Sequence, residues 1–233
     1  MSVLRISQVM ALLAGLLVVW GCGRSGSSPP GASIAKRAFT MPETWRRTEQ
    51  ERCHALGLAR PSPFLMQRAS LGGPGSCSVA QPFEMAGALG GQVTLRPSAL
   101  LRCEMIPAVD KWMAEVVQSG ARRHFGQRVV EIKVAASYAC RTRNGIAGAK
   151  ISEHAHANAL DVSAFQLADG HWVTVKQGWW GSPRERAFLR DMHAGACETF
   201  TTVLGPYADV YHRDHLHFDL AWHGKDGRTR VCK

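Results

Sequence analysis

The chain has no CxxC pair, no apolar run long enough to span a bilayer, and no repeat at the periods of solenoid proteins. The first absence excludes a zinc ribbon and a thioredoxin-type redox motif, both built on closely spaced cysteines. The second excludes an ordinary membrane helix. Val9 to Gly21 runs 13 residues without a charge, against the ~20 that a span needs. The third excludes repeat architectures. Acidic residues are also scarce, 18 against 28 Lys and Arg, so the formal charge is +10. A basic surface favours polyanions such as nucleic acid, anionic lipid or an anionic wall polymer, and says nothing about fold. No nucleic-acid motif accompanies the charge, so no nucleic-acid partner is expected. The 233 residues, 45% hydrophobic and 20% charged, suffice for one domain with a packed core and exclude wholesale disorder.

The N-terminus reads as an address. Arg5 is the only charge in the first 23 residues, and the apolar run ends in Val19-Trp20-Gly21-Cys22. A small residue before a cysteine at this place resembles the bacterial lipobox, in which a signal peptidase cuts before the lipid-bearing Cys. An ordinary secretory leader with an incidental Cys22 is the alternative. Gly23 to Ser33 (GRSGSSPPGAS) has the composition of a tether. The expected organisation is a leader over 1–21, an anchor cysteine and linker over 22–45, and a folded domain over 46–233. Such a protein is periplasmic and held at the membrane by lipid on Cys22. Setting Cys22 aside leaves six cysteines, Cys53, Cys77, Cys103, Cys140, Cys197 and Cys232. An even number in an exported chain points to three disulfides.

Apolar residues from Leu100 to Val117 recur at spacings of three and four, which predicts a helix within Pro97 to Phe125 that ends at Gly126. Arg128 to Tyr138 and Leu160 to Leu167 read as strands. Asp169-Gly170 is a hairpin signal, with His171 to Val175 as the returning strand. Ser182-Pro183-Arg184-Glu185 is a capping box that starts a helix, and His215 to Leu220 is a final strand. Helices and strands alternate without a βαβ period. The expected class is α+β, with a mainly antiparallel sheet and flanking helices.

Two stretches concentrate the chemistry: Ser152 to Asp161 (SEHAHANALD) and His212 to Asp219 (HRDHLHFD). In a strand, residues two apart share a face, so His215 and His217 project together. Two imidazoles and a carboxylate are the minimum for a catalytic zinc site with its fourth position left to water. Ser152, His154, Ala159 and Asp161 fit the pattern SxHxxGxAxD, with Ala157 in place of the glycine, and His215-Leu216-His217 fits a downstream HxH. These motifs resemble the zinc peptidases grouped as lysostaphin-type enzymes, D-Ala-D-Ala metallopeptidases and hedgehog-like domains. From about Cys53 to Cys232 the chain resembles more closely the bacterial extensin-like C-terminal domain family. That resemblance is carried by SYACRTRNG (Ser137 to Gly145), SEHAHANALDVSAF (Ser152 to Phe165), GACETFTTVLGP (Gly195 to Pro206) and HRDHLHFDL (His212 to Leu220). Plant extensins are hydroxyproline-rich, a composition absent here, so the family name itself carries no functional weight.

The resemblance implies a hedgehog or DD-peptidase-like fold and a Zn2+ cofactor on His154, Asp161 and His217. It implies that His215 polarises the attacking water or stabilises the oxyanion, and that Arg141, or else Arg143, sits over the substrate carbonyl. Ser152, His156 and Asp214 are expected around the metal or against substrate, Asp214 by orienting a histidine. Glu153 is a competitor to His215 as base, expected to point away. Trp179-Trp180 is either core or the wall of a groove. His193, His212 and His223 are expected on the surface. The expected activity is hydrolysis of a peptide bond in peptidoglycan involving a D-amino acid, with muropeptides as partners. The rival is a wall-binding module with an unused or structural metal. Among the cysteines, a helix beginning at Cys103 with a strand returning antiparallel along it would bring Cys140 beside Cys103. That leaves Cys197–Cys232 and Cys53–Cys77 by elimination.

Overall fold

The computed structural model describes residues 44–73 and 77–233. The leader, Cys22 and the linker up to residue 43 lie outside the described residues. Helix α1 (Thr44–Ala55) precedes strands β1 (Leu65–Gln67), β2 (Phe83–Ala88) and β3 (Val93–Leu101). Helix α2 (Met105–Trp112), one π-helical turn over Met113–Val117 and helix α3 (Gln118–Phe125) form one helical run. Then follow β4 (Val129–Ala136), β5 (Ala159–Leu167), β6 (Trp172–Thr174), α4 (Val175–Gly178), α5 (Pro183–Ala196), β7 (Thr202–Leu204), β8 (Leu216–Asp219) and β9 (Val231–Cys232).

The strands form one open sheet in the order β1-β2-β3-β4-β5-β8-β7-β9, with β6 beside the far half of β5. Pairs β3–β4 and β7–β9 are parallel and the rest are antiparallel. The molecule is therefore α+β with a mixed, mostly antiparallel sheet and flanking helices, as the interspersed sequence pattern indicates.

The helical run and α5 cover one sheet face. Trp112 is its centre, fully buried, with its ring 4.7 Å from Phe218 of β8 and 6.1 Å from Phe165 of β5. Its indole N–H donates to the Met192 carbonyl of α5 at 3.1 Å, so the polar end of the ring is satisfied. The capping box forms as the sequence predicts: Ser182 Oγ accepts from the Glu185 N–H, and Pro183 opens α5. Gly126 ends α3 in the left-handed conformation, φ 66°.

A β-bulge decides what the other sheet face carries. Lys133 pairs with Ala164 but Val134 pairs with Val162, so Ser163 is an extra residue in β5. One inserted residue reverses the in/out alternation. Leu160, Phe165 and Leu167 are all buried in the apolar core, although 160 and 165 differ in parity. Strict alternation from Phe165 would have put Asp161 on the helix side.

Two expectations fail together. Pro97 to Leu101 belongs to β3, not to a helix, because Val93, Leu95, Ala99 and Leu101 are buried with a period of two. The spacing that includes Leu100 and Leu101 fits either period. With the helix starting later, Cys103 lies in the corner after β3, and it bonds Cys53 of α1 (Cα–Cα 6.0 Å). Cys140 bonds Cys77 instead (Cα–Cα 5.5 Å). The expected Cys103–Cys140 and Cys53–Cys77 pairs are thus exchanged, while Cys197–Cys232 forms as expected. Trp179 is core and Trp180 is half exposed.

Peptide mapping under non-reducing conditions should recover Cys53–Cys103, Cys77–Cys140 and Cys197–Cys232. Removing Cys77–Cys140, whose cysteines are 63 residues apart, should cost ~2–4 kcal/mol in denaturant titration. A Cys103–Cys140 peptide would contradict the fold around β3.

Candidate metal centre

The site is built where β5 and β8 pair. Asp161 lies directly opposite His217, and Ala159 opposite Asp219. Opposed residues of an antiparallel pair share a face. Asp161, His217 and Asp219 thus stand on the face away from Trp112, while Leu160 and Phe218 between them are sealed into the core. A third group comes from a short 3-10 turn, Glu153–His156, capped by Ser152, whose Oγ accepts from the His154 N–H. Ala157 ends the turn at φ 51°. That is the left-handed region which favours glycine, and it is the position where the sequence pattern has one. The alanine adopts the required turn, and the polypeptide then enters β5 with His154 facing Asp161.

The three side chains converge. His154 Nε2 is 3.2 Å from Asp161 Oδ2 and 3.3 Å from His217 Nδ1. His217 Nδ1 is 2.8 Å from Asp161 Oδ1. One ligand atom from each lies within 4.8 Å of the others. A tetrahedral ion with bonds of ~2.0–2.1 Å has ligand–ligand edges of about 3.3–3.4 Å, so the set needs little movement to hold one.

The outward nitrogens are also fixed. His154 Nδ1–H donates to the Ser137 carbonyl at 2.5 Å, and His217 Nε2–H donates to Asp219 Oδ2 at 3.0 Å. Each imidazole therefore presents its other nitrogen inward, as metal-binding histidines do. Asp219 is itself held by the Ala221 N–H at 2.9 Å. The donor set, its spacing and its fixed tautomers all fit a zinc-type ion.

The electrostatics agree. Burial alone would depress His217, but hydrogen bonds and charge from Asp161 and Asp219 outweigh it and push the imidazole up to about 10. Burial alone would raise Asp161; its contacts with His154 and His217 instead hold it well below the usual carboxylate range. Asp161 and Asp219 thus hold a positive charge on His217, a charge that a divalent cation among His154, Asp161 and His217 would replace.

The cluster opens into a cleft of about 610 Å³. His215, expected beside the metal, lies there with Nε2 3.6 Å from Asp161 Oδ2. Its Nδ1 is 2.9 Å from Asp214 Oδ1, the orienting contact foreseen for that residue. Arg141 and Arg143 both border the cleft, as does Ser152. Cys140–Cys77 anchors the segment just before Arg141. Glu153 turns from the metal position: Arg46 Nη2 donates to one of its oxygens at 2.7 Å and Asn158 Nδ2 to the other at 2.6 Å. His156 is buried in the same turn and is not part of the cleft lining.

Some of the site was missed. His212, expected on the surface, is buried and borders the cleft. Its Nδ1 is 2.7 Å from Asp209 Oδ1, and its ring is 5.2 Å from that of His215. Burial pushes its imidazole below the ordinary value. His223 also borders the cleft, with Nε2 2.7 Å from Thr202 Oγ1. His193 is on another face, 2.9 Å from the Lys233 carbonyl. Asp219 joins the site without a motif of its own, although a residue two after His217 in a strand must share its face.

The family model described as Extensin-like protein C-terminus matches residues 51–233. No curated protein and no solved structure matches the chain.

A zinc ion held by His217 Nδ1 would have to displace the proton on an imidazole pushed up to about 10. Affinity should therefore rise with pH, by about tenfold per unit between pH 7 and 9. Asp219→Asn should weaken zinc by about 10–100-fold. Competition titration with a chromophoric chelator measures both. A pH-independent affinity, or an unchanged one in Asp219→Asn, would contradict the proposed ligand arrangement.

Proposed function

The chain belongs to the extensin-like C-terminus family, and from the site it carries we propose an exported zinc-dependent hydrolase that cuts a peptide bond in peptidoglycan. The observation that carries the reading is the opening of the His154, Asp161 and His217 triad into a cleft bordered by His215, the Asp209–His212 pair and two arginines. Structural zinc sites are closed by four protein ligands, whereas three ligands and an open position are the catalytic form. The relation to the lysostaphin-type and D-Ala-D-Ala zinc peptidases rests on the SxHxxGxAxD-like and HxH stretches. The choice of a bond involving a D-amino acid rests there too. The leader and Cys22 would place the domain in the periplasm on a lipid anchor.

A zinc ion bound there would lower the pKa of a water to ~7 and polarise a peptide carbonyl. The protein groups have separable tasks. Asp214 holds the proton of His215 on Nδ1, so Nε2 is free to take a proton from the attacking water and return it to the leaving amine. His212, similarly fixed by Asp209 and pushed toward its neutral form by burial, lies with its ring 5.2 Å from that of His215, where it would hold the departing group. Arg141 or Arg143 offsets the negative charge that develops on the carbonyl oxygen. A cleft with these cations suits a peptide carrying free carboxylates, as wall stem peptides do.

Purified protein incubated with muropeptides should release an amino acid or split a stem peptide, read by mass spectrometry, and chelator should stop it. Absence of any product with zinc present would favour the wall-binding module. His215→Ala should keep the metal and lose about 10²–10⁴-fold in turnover, while His217→Ala should lose both. Equal zinc loss in the two variants would refute the division of roles.

A further inference from the structure

A second cavity of about 310 Å³ lies beside the cleft, and nothing in the proposed chemistry uses it. Its wall is a pair of indoles, Trp45 of α1 and Trp222 just after β8, with ring centroids 5.6 Å apart. Trp222 is 36% exposed but it is held in place. A Cβ on Gly227 would come within 2.8–2.9 Å of three atoms of its ring, so the glycine backbone lies flat against it. α1 is held by the Cys53–Cys103 bond, next to Arg102, whose guanidinium donates to the Arg46 carbonyl. An exposed tryptophan fixed by backbone contact is a preorganised platform. Glu49, Asn158 and the Arg102–Glu104 ion pair supply its polar side.

The chemistry of the wall selects the ligand. Arg46 and Arg102 already lie over the Trp45 ring, at 4.8 and 5.7 Å from its centroid, so that face has its cations, and both are paired with carboxylates, Glu153 and Glu104. No unpaired cation of the wall is left for an anionic ligand, and Glu49 on the polar side disfavours a carboxylate. A neutral molecule with one apolar face and a hydroxyl or amide edge satisfies both. A pyranose ring has that form: its axial C–H groups lie on an indole and its equatorial groups bond to planar carboxylate and amide side chains. The volume suits one or two sugar residues.

Its place strengthens the assignment. Asp219 and Thr202 border the catalytic cleft, while Ala221, Trp222 and Thr201, one to three residues away, border the second cavity. Arg46, beside Trp45, donates to Glu153 in the turn that carries His154. A polymer bound across both would present peptide to one and sugar to the other. We infer that the Trp45–Trp222 cavity is a glycan subsite that binds an N-acetylhexosamine of the wall polymer next to the peptide cleft. The choice of sugar rests on the proposed function.

The test uses a probe with no peptide, so it does not depend on hydrolysis. Tri-N-acetylchitotriose is titrated into the full chain, with and without zinc, and tryptophan fluorescence is followed. Saturable binding is expected, equal in both forms. Trp222→Ala should weaken it at least about tenfold, and Trp180→Ala, whose ring packs on Tyr207 and does not line the cavity, should leave it unchanged. Glu49→Gln, a milder change at the rim, should weaken it too, and covers the case in which Trp222→Ala fails to fold. No saturable binding, or binding unaffected by both Trp222→Ala and Glu49→Gln, overturns the subsite. Sugar binding without any muropeptide cleavage would keep the subsite and remove the hydrolase.

Discussion

The pairing of Asp161 with His217 across β5 and β8 is the constraint on which the site depends. Their register puts a carboxylate and an imidazole on one face, 2.8 Å apart. Leu160 and Phe218, one step along the same strands, are committed to the core around Trp112. A slip of one residue would therefore turn the charged pair into the apolar core and the apolar pair out of it, which is prohibitive. The core thus fixes the site. The Ser163 bulge lets β5 serve both, keeping Phe165 in the core although Asp161 faces the cleft.

Around that pair, each inward nitrogen is set by an outward contact. Ser137 O fixes His154, Asp219 fixes His217, Asp214 fixes His215 and Asp209 fixes His212. Three of the four partners are carboxylates, in a protein whose formal charge is +10. Local acidity within a basic chain suits the site to a cation, while its rim, with Arg141 and Arg143, suits anionic groups. Rigidity comes from the disulfides: Cys77–Cys140 braces the segment before Arg141, and Cys53–Cys103 holds α1, whose Arg46 steers Glu153 away from the metal position.

What the sequence revealed follows from the range of each signal. Gly126, the Ser182 capping box and the Asp169-Gly170 hairpin are local, and each forms where the residues indicate. The triad was legible because two short motifs carry all three residues. The β3 error arose because Leu100 and Leu101 suit both a helical and a strand period; only pairing with β2 and β4 decides, and pairing is not local. The exchanged disulfides followed from that error. His212 was misread because nothing in its neighbours reveals burial; its place depends on Asp209 and on the fold of the whole cleft. Ala157 was visible as a departure from glycine, but only the backbone, at φ 51°, shows why glycine suits that place.

If His154 Nε2, Asp161 and His217 Nδ1 hold one zinc ion, anomalous diffraction at the zinc edge, on crystals grown with one equivalent of the metal, should reveal it. A single strong peak is expected at ~2.0–2.2 Å from each of those three donors, with a water or substrate oxygen in the fourth position. A peak bound elsewhere, one held through His217 Nε2, or no peak at all would contradict it.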